Sequence, residues 1–221
     1  MTLDSTTRLI AVRHGETDWN RQSRLQGHTD IGLNPRGHAQ ARRAAQSIAP
    51  DRPDAVYASD LARARCTAES IAAACGLAVT LEPALRERQF GLYEGLTFEA
   101  VEAQWPEQAQ RWRQRDPAWG PPGGEVLADF HQRAVDAVAR IAAAHPGQCV
   151  VIVSHGGVLD SLYRASLRID LQAPRTWLVG NASINRLLFT PAGLSLVGWN
   201  DDAHLDDLDD LAGLTLDETS R

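Results

Sequence analysis

Leu9-Ile10-Ala11-Val12-Arg13-His14-Gly15-Glu16-Thr17 joins a short apolar run to an abrupt polar cluster. The four apolar residues predict a buried strand, because a strand covered on both faces shows no polar alternation. The residues after it then fall at the strand's carboxyl end, where open α/β sheets bind their ligands. Gly15 allows backbone N–H groups to approach whatever the arginine and the histidine hold.

The same pattern recurs twice along the chain. Ala55-Val56-Tyr57 predicts a second strand and runs into Ser59-Asp60-Leu61-Ala62-Arg63. Cys149 to Val153, continuous and β-branched, predicts the clearest strand and runs into Ser154-His155-Gly156-Gly157. Helical patterns separate the strands. Asn34 and Pro35 open one that Pro50 stops, with Asn34 as N-cap and Pro35 at the first position. Ser59 is expected to cap a helix from Asp60 to Cys75, ended by Gly76. Ala78 to Leu81 predicts a third strand. Glu125 to Ala144 predicts a long helix with Phe130, Ala134, Val138 and Ile141 on one face, and Gly157 to Leu167 a further one. Ile184 to Phe189 and Leu194 to Trp199 predict two closing strands joined at Pro191-Ala192-Gly193.

Strands alternating with helices imply an α/β three-layer sandwich with a central, mostly parallel six-stranded sheet. The closing pair requires one antiparallel strand, expected at an edge. Residues 1–205 are expected to form a single domain, with a small helical insertion at about 96–124 and an acidic C-terminal tail at 206–221. Two short helices are predicted in the insertion, Phe98 to Trp105 and Glu107 to Arg115, between breaks at Pro106, Pro117, Pro121 and Pro122. The insertion is too short to be expected to have a core of its own. Its Trp105, Trp112 and Trp119 read as a hydrophobic clasp on the domain, or else as an aromatic wall over the site.

Composition narrows the chemistry. The 221 residues carry a net charge of −6, so a nucleic-acid partner is not expected. Residues 200–221 hold eight acids and one base, and the rest of the chain is close to neutral. That acidic stretch reads as solvated, although Leu205, Leu208, Leu211, Leu214 and Leu216 could seat it as an amphipathic helix. All 22 basic residues are arginines, which excludes P-loop and Schiff-base lysines and suits bidentate recognition of phosphate. Cys66, Cys75 and Cys149 have no metal-binding spacing, and the opening residues carry no apolar run. No membrane association and a cytoplasmic location are expected. No metal and no cofactor are implied.

Arg13, His14, Arg63 and His155 thus project from one rim. Two guanidinium groups with nearby backbone donors make an anion site, and phosphate is its best occupant. Any one of these short stretches is commonplace; their recurrence at three strand ends is not.

Read in order, the motifs resemble the histidine phosphatase superfamily in its phosphoglycerate-mutase-like branch. The resemblance rests on Arg13-His14-Gly15-Glu16-Thr17-Asp18-Trp19-Asn20, Gln26-Gly27, Leu33-Asn34-Pro35-Arg36-Gly37 and Ser59-Asp60-Leu61-Ala62-Arg63-Ala64 with Thr67-Ala68. It continues through Leu85-Arg86-Glu87, Phe90-Gly91-Leu92-Tyr93-Glu94-Gly95, Gly123-Gly124-Glu125, Ser154-His155-Gly156-Gly157, Asn181-Ala182-Ser183-Ile184 and Trp199-Asn200 with His204-Leu205. It implies His14 as a nucleophile forming phosphohistidine, kept neutral by Arg13 and Arg63. Arg13, Arg63 and a protonated His155 would hold the phosphoryl oxygens, with Asn20, Gln26 and Gly27 as further substrate-binding residues. Glu87 would be the general acid and Glu94 the rival carboxylate; Arg86 and Arg88 flank Glu87 and would favour its ionised form if they faced it. Glu16 reads as structural.

The family divides between mutases and phosphatases. Mutases carry a lysine and paired arginines in a longer insertion, whereas residues 97–122 here hold no lysine and only Arg111, Arg113 and Arg115, spread around a helix. The expectation is therefore a metal-independent phosphomonoester phosphatase for a small phosphorylated metabolite. Phosphoglycerate mutase activity is the alternative, and a non-catalytic phosphate- or phosphoprotein-binding module the alternative of another class. Val126 departs from the serine usual after Gly-Glu in the phosphatases.

Overall fold

A computed structural model describes residues 5–209. Its strands are β1 (Thr7–Arg13), β2 (Ala55–Ala58), β3 (Val79–Leu81), β4 (Cys149–Ser154), β5 (Ile184–Thr190) and β6 (Gly193–Asp201). Its α-helices are α1 (Asp18–Arg21), α2 (Pro35–Ile48), α3 (Ala62–Cys75), α4 (Phe98–Gln104), α5 (Pro106–Arg113), α6 (Leu127–Ala143), α7 (Gly156–Leu167) and α8 (Asp206–Asp209).

Side-chain alternation along β1 divides the core into two layers. Ile10 and Val12 point to one face and pack with Ala45 and Ile48 of α2 and Ala64, Ala68 and Ile71 of α3. Leu9 and Ala11 point to the other and pack with Val138 and Ile141 of α6 and Leu159 and Leu162 of α7. The result is the expected three-layer sandwich.

The six strands lie in the order β3-β2-β4-β1-β5-β6. β3, β2, β4 and β1 are parallel, so the carboxyl ends of β1, β2 and β4 share one rim. The antiparallel strand is β5, and it is not the edge: it pairs with β1 on one side and with β6 on the other. The closing hairpin adds two strands beyond β1, so the edge strand β6 returns to the parallel direction.

The α3 helix also differs from its prediction. It starts at Ala62 instead of Asp60, with Leu61 at the N-cap and no side-chain cap from that residue. The Ser59 hydroxyl accepts only the Leu61 N–H, and the Ala62 N–H goes to Asp30 Oδ1 at 2.7 Å. Asp60 is drawn off by Arg86, whose guanidinium donates to both its carboxylate oxygens at 2.7 and 2.5 Å.

The insertion packs through an apolar cluster that it shares with neighbouring parts of the chain. Trp112 stacks on Phe90 with ring centroids 5.2 Å apart and meets Phe98 edge-on and Trp119 tilted. Leu25, Tyr93, Val101 and Ala109 complete it. Aromatic rings bury more area per residue than aliphatic side chains, so a short segment can be held by a few of them. Trp112 and Trp119 are buried within this cluster and Trp105 packs against it, the packing that the clasp reading expects.

In the acidic stretch, Leu205 is buried and the Leu208 carbonyl accepts a hydrogen bond from Arg36 at 3.0 Å. Leu211, Leu214 and Leu216 lie outside the described residues.

Candidate active site

β1 ends in Arg13, and His14 follows it directly. The His14 N–H donates at 2.9 Å to the carbonyl of Ser154, the last residue of β4, so the two histidine-bearing loops leave the sheet side by side.

His14 is 3% exposed and its ring meets that of His155 edge-on, with centroids 5.1 Å apart. His14 Nδ1 donates to the carbonyl of Gly15 at 2.7 Å. A carbonyl only accepts, so the proton sits on Nδ1 and the lone pair of the neutral ring is on Nε2. Burial, then Arg63, then Arg13 hold the His14 pKa well below the ordinary histidine value.

The two arginines are fixed by carbonyl oxygens. Arg13 Nη1 donates to Val179 O at 2.7 Å. Arg63, fully buried in the first turn of α3, donates to Gly27 O at 2.8 Å and Thr29 O at 3.0 Å. Cations fixed in this way need little rearrangement to meet an anion.

His155 is fully buried, and neither ring nitrogen has a hydrogen-bond partner among the described residues. Its surroundings oppose the protonated form expected beside a neutral His14. Burial, Arg63, His14 and Arg13 together push its pKa well down as well. Three cationic or potentially cationic neighbours oppose a fourth charge, and a phosphate dianion between the rings would reverse that balance.

Glu87 is 5% exposed. Its carboxylate accepts the N–H of Arg88 at 2.8 Å and that of Gly157 at 3.0 Å, which places it at the N-terminus of α7, two residues beyond His155. Its flanking arginines hydrogen-bond to other groups. Arg86 pairs with Asp60, and the Arg88 guanidinium donates to the carbonyls of Glu125 and Trp119. Burial lowers the Arg88 pKa to about 10.

Asn20 is buried, and its Oδ1 accepts from Thr17 and from Asn181. Gln26 and Gly27 are buried, and the Gly27 carbonyl is one of the two that hold the Arg63 guanidinium. Glu16 accepts from Asn34 Nδ2 at 2.7 Å and approaches Arg36, as a structural residue would. Glu94 spends its carboxylate on the N–H groups of His28, Thr29 and Phe90 and on the Thr29 hydroxyl.

Several supporting residues have no role assigned to them from the sequence. Arg133 of α6 donates to the carbonyls of Ala84, Arg86 and Glu87, and His28 Nε2 donates to Glu87 O at 2.9 Å. Asn181 Nδ2 donates to His14 O, and the Ala182 N–H donates to the carbonyls of Arg13 and His14. Ala182 holds a φ of 58° to do so, a left-handed conformation that alanine rarely adopts. The Asn181-Ala182-Ser183 run is the available signal for these contacts; nothing local to Arg133 or His28 marks them.

Among the described residues, no group of three or more His, Cys, Asp or Glu side chains is placed to hold a metal ion. No described helix is long and apolar enough to cross a membrane.

Comparison with known proteins places the chain in a family. Residues 9–202 match the histidine phosphatase superfamily (branch 1). The chain is 37% identical over 203 residues to phosphoglycerate mutase-like protein 4 of Arabidopsis thaliana, covering 90% of this chain and 87% of that one. It is also 37% identical over 202 residues to a metal-independent phosphoserine phosphatase of the same plant, covering 90% and 83%. A mycobacterial glucosyl-3-phosphoglycerate phosphatase solved with vanadate superposes with a TM-score of 0.79 at 33% identity, covering 88% of this chain and 99% of that one. The chain therefore belongs to the histidine phosphatase superfamily, in its phosphoglycerate-mutase-like branch, and is a phosphoric monoester hydrolase acting on a small phosphorylated metabolite.

Proposed function

We propose that the protein hydrolyses its phosphate monoester without a metal, through a phosphohistidine at His14. The observation that carries this reading is the pairing of a buried His14, its proton anchored on Nδ1, with Arg13, Arg63 and a His155 ring 5.1 Å away. The lone pair on His14 Nε2 attacks phosphorus, and the bond from phosphorus to the ester oxygen breaks. Glu87 gives its proton to the leaving oxygen. Arg13, Arg63 and His155 hold the three remaining phosphoryl oxygens as charge moves onto them, which is the work a metal does elsewhere. Asn20, Gln26 and Gly27 complete the binding wall. Water then attacks phosphorus, its proton returns to Glu87, the N–P bond breaks and inorganic phosphate leaves.

A phosphatase is favoured over a mutase because the insertion's arginines are already committed. Arg111 pairs with Asp116, Arg113 with Glu102 and Arg115 with Asp160. These pairings compete with any carboxylate that a phosphoglycerate mutase must retain. Phosphoserine and glucosyl-3-phosphoglycerate, named for two of the relatives, are the first substrates to assay.

Turnover of a panel of phosphate monoesters in the presence of chelator tests the reading. Activity should persist, and vanadate, which adopts the five-coordinate shape of the transition state, should inhibit it. Activity lost to chelator and restored by a divalent ion would overturn metal independence. Binding without turnover of any ester would favour the non-catalytic module.

A further inference from the structure

The loop from Gln26 to Asp30 touches three separate parts of the site. Its Gly27 and Thr29 carbonyls hold the Arg63 guanidinium. Its Asp30 carboxylate takes the Ala62 N–H, at the start of the helix that carries Arg63. Its His28 ring donates to the carbonyl of Glu87. A loop this short has no core to fix its shape, so something else must.

That something is the half-buried carboxylate of Glu94. Oε1 accepts the N–H of His28 at 3.0 Å and that of Phe90 at 3.1 Å; Oε2 accepts the Thr29 N–H at 2.9 Å and the Thr29 hydroxyl at 2.5 Å. Four donors converge on one ionised group, and hydrogen bonds to a charged acceptor are about twice as strong as neutral ones. The fit is close. Gly27 has a φ of 53°, and a Cβ there would lie 2.2 Å from Glu94 Oε1. The carboxylate and the loop backbone are thus in near contact.

We propose that Glu94 is a positioning residue for the phosphate site: its carboxylate sets the Gly27–Thr29 backbone that aims Arg63, and through His28 it ties this loop to the segment bearing Glu87. It touches no reacting atom and transfers no proton. Removing its charge releases the loop carbonyls from the Arg63 guanidinium and so weakens the grip on the phosphoryl group in ground and transition states alike.

The proposal rests on the phosphatase reading above, and the experiment separates the two. Glu94→Gln keeps the shape and replaces one acceptor oxygen with a donor. Thr29→Val removes only the hydroxyl donor and is the milder variant should the first fold poorly. Each is assayed for vanadate inhibition and for kcat and KM on an alkyl phosphate and on p-nitrophenyl phosphate. For Glu94→Gln the vanadate Ki and both KM values should rise about 10-fold or more, the scale expected when a catalytic group loses its supporting contacts. Thr29→Val should move in the same direction by less. The ratio of rates on the two esters should stay that of the parent protein. A selective loss on the alkyl phosphate would make Glu94 the proton donor and overturn the proposal. A lower Tm with unchanged Ki and KM would make it a structural residue only and overturn it equally. If the parent protein turns over neither ester, it is the phosphatase reading that fails.

Discussion

Two carboxylates compete for the role of acid, and their hydrogen bonds distinguish them. Glu94 accepts three donors from one loop and a fourth from Phe90, whereas Glu87 sits at the N-terminus of α7, two residues beyond His155. Glu87→Gln removes the transferable proton and keeps the shape. Phosphorylation of the enzyme by alkyl phosphates should slow by about 10² or more, the usual range for general acid catalysis. Phosphorylation by p-nitrophenyl phosphate should change far less, because nitrophenolate leaves without a proton. Rapid-quench measurement of that step with both esters checks this; equal slowing would assign Glu87 to structure. Glu87 is legible in the sequence only through the motif around it, since nothing in Leu85-Arg86-Glu87 shows that both neighbouring arginines are taken up by other partners. That outcome depends on Asp60 and on the Glu125 and Trp119 carbonyls, all distant in sequence.

At the scale of elements, the strands and helices carrying the site can be read from apolar runs, caps and glycines, with ends displaced by one or two residues. How the elements are latched together cannot. In sequence, Asp160 is only a charge interrupting the apolar face of α7. In the fold it is 4% exposed and stands among three guanidinium groups: Arg115 from the insertion just after α5, Arg164 one turn along α7, and Arg175 from the segment before β5. One carboxylate therefore joins three parts of the chain, and no local pattern encodes that. Asp160→Asn leaves these arginines without their counter-charge. It should cost about 3 kcal/mol, the scale for breaking a buried ion pair from one side. Denaturant unfolding measures it; a loss below ~1 kcal/mol, the surface-pair range, would show that solvent screens the cluster.

At the scale of the whole molecule, histidine burial makes the fold sensitive to acid. His14, His28, His131, His155 and His204 all have pKa values below the ordinary 6.5, each chiefly through burial. In the unfolded chain these groups take up protons near pH 6.5, while in the folded chain they resist until lower pH. Their contribution to stability is therefore complete above about pH 6.5 and is lost as pH falls through the folded values. The Tm should decline between about pH 6.5 and pH 5, before most carboxylates titrate. A Tm constant over that interval would mean that the histidines are solvated. The mostly parallel sheet follows from the alternation of strands and helices, except for the place of β5. The ring cluster beneath the insertion does not, because six rings drawn from residues 90–119 meet only in three dimensions.

The central claim is that His14 carries the phosphoryl group between substrate and water. The direct test mixes enzyme with labelled phosphate ester, quenches in base within a turnover, and locates the label by peptide mass spectrometry. An acid-labile, base-stable phosphoryl group is expected on His14 and absent from His14→Ala, which should also lack turnover. A label on any other residue, or full turnover in His14→Ala, would contradict it.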